Sequence, residues 1–252
     1  MNSEITYTLS KVPAVTVGFW LIKILATTLG ETGGDAVSMS MDLGYLISTV
    51  IFLTLFLAAV GMQIKAKKFH PLVYWLTIIA STTVGTTLAD FADRSLGIGY
   101  LGGSVLLACL LISTLFIWQR CLGSVDVRSV STPKAEAFYW LTIMFSQTLG
   151  TALGDWTADS AGLGYSGAAM IFGAGLCVVI GAYYFTAISR TWLFWSAFIL
   201  TRPLGAVVGD FLDKPIAQGG LEFSRYTATG ALLVTIILLV IVLPQRAASK
   251  AH

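Results

Sequence analysis

Four aspartates occupy one place in a pattern that recurs along this chain. Asp35, Asp90, Asp155 and Asp210 each follow a glycine by five residues, and each glycine (Gly30, Gly85, Gly150, Gly205) follows a tryptophan by ten (Trp20, Trp75, Trp140, Trp195). Each Asp lies at or near the end of an apolar run long enough to cross a bilayer, and an ionisable group there is costly enough to be a functional candidate. Carboxylate and hydroxyl oxygens suit hard cations such as Mg²⁺, Mn²⁺ or Ca²⁺. Carboxylates that release a proton when a cation arrives would couple the two movements.

Side chains three and four residues apart share a helix face. Two residues before the glycine, one after it and five after it, the copies read Thr28, Glu31, Asp35; Thr83, Thr86, Asp90; Thr148, Thr151, Asp155; and Pro203, Ala206, Asp210. This stripe of oxygens predicts a polar cavity if the helices gather round an axis, with Asp35, Asp90, Asp155, Asp210, Glu31, Thr28, Thr83, Thr86, Thr148 and Thr151 as ligands. Four residues after the glycine stand Gly34, Ala89, Gly154 and Gly209, a small-xxx-small pattern that lets helices approach closely. Glu31 and Arg202 are each the odd residue of their repeat. In a closed ring the first and fourth repeats are neighbours, so these two are expected to meet as a gate or internal ion pair. Asp93, Asp159 and Asp213 follow the repeat aspartates closely and join Arg202 as candidates for gating or coupling. Arg94 and Lys214 read as local i,i+4 neutralisers, and Lys23 is expected to snorkel to the cytoplasmic interface.

The elements that must position these residues are membrane helices. A hydrophobic fraction of 56% with only 11% charged residues excludes an ordinary soluble domain. Each repeat reads as an inner helix from the Trp to the Asp and a second helix opened by Gly44-Tyr45, Gly99-Tyr100 or Gly164-Tyr165; in the fourth repeat it opens near Phe223. The expected fold is all-α and polytopic: eight transmembrane helices as four parallel-oriented two-helix repeats (12–68, 69–133, 134–189, 190–246) in a single membrane domain over 1–252. Termini and junctions hold ten bases against three acids, and the inner helices with their following loops hold five bases against ten acids. The positive-inside rule then places both termini in the cytoplasm, the Asp ends outside, and the Trp residues at the cytoplasmic interface as anchors.

Tandem repeats of two spans and a Trp resemble a family of bacterial integral membrane proteins built from four copies of a repeat of unknown function. Trp20, Trp75, Trp140 and Trp195 fit its marker residue, and the likeness runs from about Val12 to Pro244. The resemblance implies a bacterial inner-membrane protein and supplies no substrate.

Other chemistries find little support. Cys109, Cys121 and Cys177 share no repeat position, and His70 and His252 are the only histidines, so thiolate or imidazole zinc chemistry lacks ligands. Leu153-Gly154-Asp155 and Val208-Gly209-Asp210 miss the first glycine of a Gly-x-Gly-Asp protease signature. No phosphate-binding loop or nucleic-acid surface is present. The sequence therefore points to a non-enzymatic cation transporter, foremost a proton-coupled exporter of a divalent metal. Its partners would be the bilayer, the metal cation and protons, with no resident cofactor, no nucleic acid, and a homo-oligomer left open. The alternatives are a structural or interaction protein whose Asp residues cap loops, and a transporter of a small organic ion.

Overall fold

Apolar runs bounded by glycine, proline and basic junctions fold into eight long helices in the computed structural model, which describes residues 10–248. Glu4, Lys250 and His252 lie outside the described residues. The helices are α1 (Val17–Asp35), α2 (Gly44–Lys65), α3 (Pro71–Asp90), α4 (Tyr100–Leu122), α5 (Pro133–Asp155), α6 (Gly164–Phe185), α7 (Arg190–Asp213) and α8 (Arg225–Val242). Every regular element among the described residues is helical. Starts follow local chemistry: Thr16 and Thr132 cap α1 and α5 through their hydroxyls, and Pro71 and Pro133 open α3 and α5. In three repeats the chain leaves the inner helix through a wide π turn that begins one residue after the Asp: Ala36–Ser40, Phe91–Ser95 and Trp156–Ser160. The fourth repeat has no such turn; α7 runs past Asp210 to Asp213.

Six helices are long and apolar enough to cross a membrane: α2, α4, α6 and α8, with α3 and α7. The outer helices α2, α4, α6 and α8 bury few residues and expose large apolar side chains such as Leu46, Ile112, Met170 and Ile241. The inner helices α1 and α5 are shielded instead; they carry ionisable residues along their length, among them Lys23, Glu31 and Asp35 in α1 and Lys134, Glu136 and Asp155 in α5.

The inner helices α1, α3, α5 and α7 close a ring, each packed on the next and α7 on α1. Each outer helix packs on the inner helix of the following repeat: α2 on α3, α4 on α5, α6 on α7, and α8 back on α1. The repeat glycines make the ring tight. A methyl group added to Gly30 would meet Thr82 Cβ at 2.9 Å, one on Gly85 the Gln147 backbone carbon at 2.9 Å, one on Gly150 Pro203 Cδ at 3.0 Å, and one on Gly205 the Thr27 backbone carbon at 2.9 Å. Gly34, Gly154 and Gly209 receive Thr86, Ala206 and Glu31 in the same way. Small-xxx-small packing is thus realised between successive inner helices.

Three of the four repeat tryptophans are packed inside the molecule rather than set out as interface anchors, and Trp20 is half-buried. Trp75, Trp140 and Trp195 are buried, and with Trp20 they form a closed girdle inside the ring. Each packs on the aromatic residue that precedes the Trp of the previous repeat: Phe19–Trp75 at 5.5 Å, Tyr74–Trp140 at 5.7 Å, Tyr139–Trp195 at 6.1 Å and Phe194–Trp20 at 5.8 Å between ring centroids. The interhelical geometry that decides this is invisible in a hydropathy profile. Because aromatic ends meet aromatic ends and Asp ends meet Asp ends, all four inner helices point the same way. Beyond the girdle, Lys11 reaches Glu136 at 2.6 Å, a buried junction pair.

Candidate cation site at the mouth of the inner ring

The four repeat aspartates sit on the last turns of the inner helices, and ring closure brings them together. Asp35, Asp90, Asp155 and Asp210 are 1–3% exposed. Glu31, one turn deeper, joins them. Carboxylate oxygens lie within 4.8 Å of one another in three groups: Glu31, Asp35 and Asp90; Glu31, Asp155 and Asp210; and Asp35, Asp210 and Asp213. Three oxygens at that spacing need little contraction to reach the roughly 2.3–2.6 Å bonds of a calcium-sized ion. None of Asp35, Asp90 and Asp155 caps a backbone N–H of the turn that follows it, so the loop-capping role has no hydrogen bond to support it.

Four cations occupy the same mouth. Lys214 Nζ bridges Asp35 at 2.5 Å and Asp210 at 3.1 Å. Arg94 bridges Asp90 at 3.0 Å and Asp155 at 3.5 Å. Arg225 bonds Asp213 at 3.2 Å and lies 3.9 Å from Asp35. Arg202 meets Glu31 at 3.0 Å, and its guanidinium also donates to Thr86 Oγ1 at 2.6 Å and to Thr151 Oγ1. The expected meeting of Glu31 and Arg202 therefore occurs, fully buried. One arginine of α7 touches α1, α3 and α5 together, which places this level on the axis of the ring.

Six carboxylates thus face four cations: Glu31, Asp35, Asp90, Asp155, Asp210 and Asp213 against Arg94, Arg202, Lys214 and Arg225. Counted as ionised groups, the carboxylates exceed the cations by two. Arg94 and Lys214 each join their own repeat's Asp to that of the next repeat, so their role reaches beyond i,i+4 neutralisation. Arg225 carried no signal in the sequence beyond its charge; the α7–α8 turn brings it in.

Other expected residues fall differently. Thr28, Thr83 and Thr148 are buried, but their hydroxyls donate to the carbonyls of Ile24, Ile79 and Met144 on their own helices, four residues back. They support the helices and make no bond to the carboxylates. Asp93 is buried away from the cluster, its Oδ1 close against Gly103 of α4 and both oxygens without a hydrogen-bond partner. Asp159 is exposed. Of the gating candidates, Arg202 and Asp213 reach the site.

In steps of four residues down the ring lie the aspartates, then Glu31, Thr86, Thr151 and Ala206, then Thr27, Thr82, Gln147 and Arg202, then Lys23, Ile78, Ile143 and Phe198. All are buried. The third level, three residues before each glycine, is the ring-facing position that a spacing of four rather than three would have picked out. It leaves Thr82 Oγ1, both amide atoms of Gln147, and Nε and Nη1 of Arg202 without partners. Lys23 does not snorkel. Its side chain is 0% exposed, its ammonium has no hydrogen-bond partner, and it lies 4.2 Å over the Phe198 ring. The ring has an acidic mouth and a deeper level rich in donors.

The family model described as Repeat of Unknown Function (DUF347) matches four stretches of the chain: residues 18–69, 73–121, 138–189 and 193–247. No curated protein and no solved structure matches.

Proposed function

The chain belongs to the family built from this repeat of unknown function, and on that premise we propose that it is a membrane transporter of cations, a proton-coupled exporter of a Mn²⁺- or Mg²⁺-like divalent metal. The observation that carries this reading is the surplus of two carboxylates over cations in the buried mouth. A net charge of −2 away from water demands compensation. Two protons supply it in the empty site, and one divalent ion supplies it in the loaded site. Binding then releases two protons per ion, so the charge of the site stays constant through the cycle.

Lys214 holds the place between Asp35 and Asp210 that an incoming ion would take. Its flexible stem lets the ammonium withdraw toward Asp213, whereas Arg94, set between Asp90 and Asp155, keeps both in position. Arg202, tied to three helices, closes the ring below the ion. In this reading α1 and α5 also cross the bilayer, sheltered by their neighbours, giving eight spans. The basic junctions put both termini in the cytoplasm of a bacterial inner membrane.

The test is a flux assay in proteoliposomes across a panel of divalent ions, with and without a pH gradient. Metal flux is expected to depend on the gradient and to vanish in Asp90→Asn and Asp155→Asn while both variants still insert and fold. Full flux in both variants would falsify the site.

A further inference from the structure

Outside the acidic mouth the outer helices α2, α4 and α6 do not pack alike. Eighteen residues past the tyrosine near its start, α2 carries Gln63 and α4 carries Trp118, buried at 1% and 0% exposure. Trp118 fills the space beside Trp195 at 5.9 Å. The equivalent residue of α6, Tyr183, turns outward and is 37% exposed. Arg190 holds it there, its guanidinium 4.2 Å over the ring and its Nη1 donating to the Tyr183 carbonyl at 2.5 Å. The slot left open is a cavity of about 600 Å³ between α6, α7 and α1.

Its walls are apolar, formed by Leu176, Val179, Ile180, Leu193 and Ala197. Along α7 the lining runs from Arg190 to Thr201, about 16 Å at 1.5 Å per residue, which is half of a hydrocarbon core about 30 Å thick. The groove is therefore one leaflet deep. Its polar end lies at the junction side, where α1 and α7 begin and where Arg128 and Arg190 stand. Asp126 is the one acid of the lining. Burial pushes its carboxyl up, but hydrogen bonds from the Arg128 side chain and backbone N–H outweigh this and hold it below the ordinary range. It stays ionised and cancels one arginine, leaving a rim charge of +1.

We propose that this groove binds one anionic phospholipid from the leaflet on the junction side, an acyl chain lying along α6 and α7 and the phosphate between Arg128 and Arg190. The open slot, its one-leaflet depth and its basic rim each fit that occupant. The proposal needs the protein to be in a membrane but is independent of cation transport, so it stands or falls apart from the carboxylate site.

The experiment is native mass spectrometry of the full chain, released from detergent after equilibration with phosphatidylglycerol and phosphatidylethanolamine of matched acyl chains. Wild type is expected to retain the anionic lipid about fivefold more than the zwitterionic one, the effect of one net surface charge. Arg128→Ala with Arg190→Ala should remove that preference. Ala197→Phe, which fills the groove from α7, should remove retention of both lipids with elution and helical content unchanged; Val179→Phe serves the same purpose from α6 if that variant does not fold. Equal retention of the two lipids by wild type overturns the proposal. So does a preference that survives the double arginine variant, or a dimer that dissociates on filling the groove with no lipid bound.

Discussion

At the scale of single residues, Arg202 ties the other three inner helices together. It is fully buried and bonds Glu31, Thr86 and Thr151 from three other helices. Removing one partner of a buried ion pair leaves the other uncompensated, at a cost of about 3–5 kcal/mol, while replacing both by apolar groups is often close to neutral. Glu31→Gln alone is therefore expected to lower the unfolding midpoint sharply, and Glu31→Leu combined with Arg202→Met to recover most of the loss. A thermal or denaturant melt of the purified variants decides it, and a double variant worse than either single change would break the pairing argument. Lys23 is the converse case. Its ammonium has no hydrogen-bond partner and lies over the Phe198 ring. An unsatisfied buried donor costs about 1–3 kcal/mol, and a charged one more, against about 0.5–2 kcal/mol for a cation–π contact. Lys23→Met should leave the melting temperature unchanged or raise it. A fall as large as that of a core truncation would mean that Lys23 has a partner in the membrane, such as bound water or an anion.

At the scale of helices, close approach depends on the repeat glycines. A Cβ on Gly85 or Gly205 would strike the backbone of the neighbouring helix at 2.9 Å, where no rotamer change can relieve it. A Cβ on Gly61 of α2 would have nothing within 4 Å. Gly85→Ala and Gly205→Ala are expected to destabilise by about 2 kcal/mol or more through overpacking. Gly61→Ala should be neutral or stabilising by about 0.5–1 kcal/mol, from helix propensity alone. Unfolding in mild detergent ranks the three, and equal behaviour would mean that the ring is looser than its glycines indicate. The π turns that follow Asp35, Asp90 and Asp155 belong to the same scale. They redirect the chain one residue past each carboxylate, so it stays inside the mouth while the chain leaves for the outer helix.

At the scale of the molecule, each outer helix serves the next repeat, and α8 closes the circle on α1. The two halves are therefore exchanged at both seams: α4 packs on α5 and α8 on α1. A chain cut in the junction between Leu122 and Pro133, with both halves co-expressed, is expected to reassemble, and a tag on one half should recover the other at about equal amounts. Recovery of one half alone would show that the exchanged packing does not hold them together. The bridging cations follow the same division. Arg94 of the second repeat and Lys214 of the fourth join successive aspartates, whereas the first and third repeats carry Met39 and Asp159 at that position. Bridging cations thus stand in alternate repeats of the ring.

The repeat, the helical class, the stripe bearing the carboxylates and the closeness of Glu31 to Arg202 were legible in the amino-acid order, because periodicity and register are properties of one chain read along its length. Which face of each inner helix looks inward was only partly legible. Spacings of three and of four both keep residues on one face, and the stripe beginning at Thr28, Thr83 and Thr148 ran one position from the ring-facing one. The packing of the tryptophans, the burial of Lys23, the reach of Arg94 and Lys214 to a second repeat's carboxylate and the arrival of Arg225 were not legible at all. An aromatic or a lysine near a helix end satisfies the same hydropathy whether it meets lipid or a neighbouring helix. Tertiary packing decided these, since closing four helices over glycine contacts leaves inside whatever stands at the ring-facing positions. The same closure drew Lys214 onto Asp35, 179 residues away in sequence.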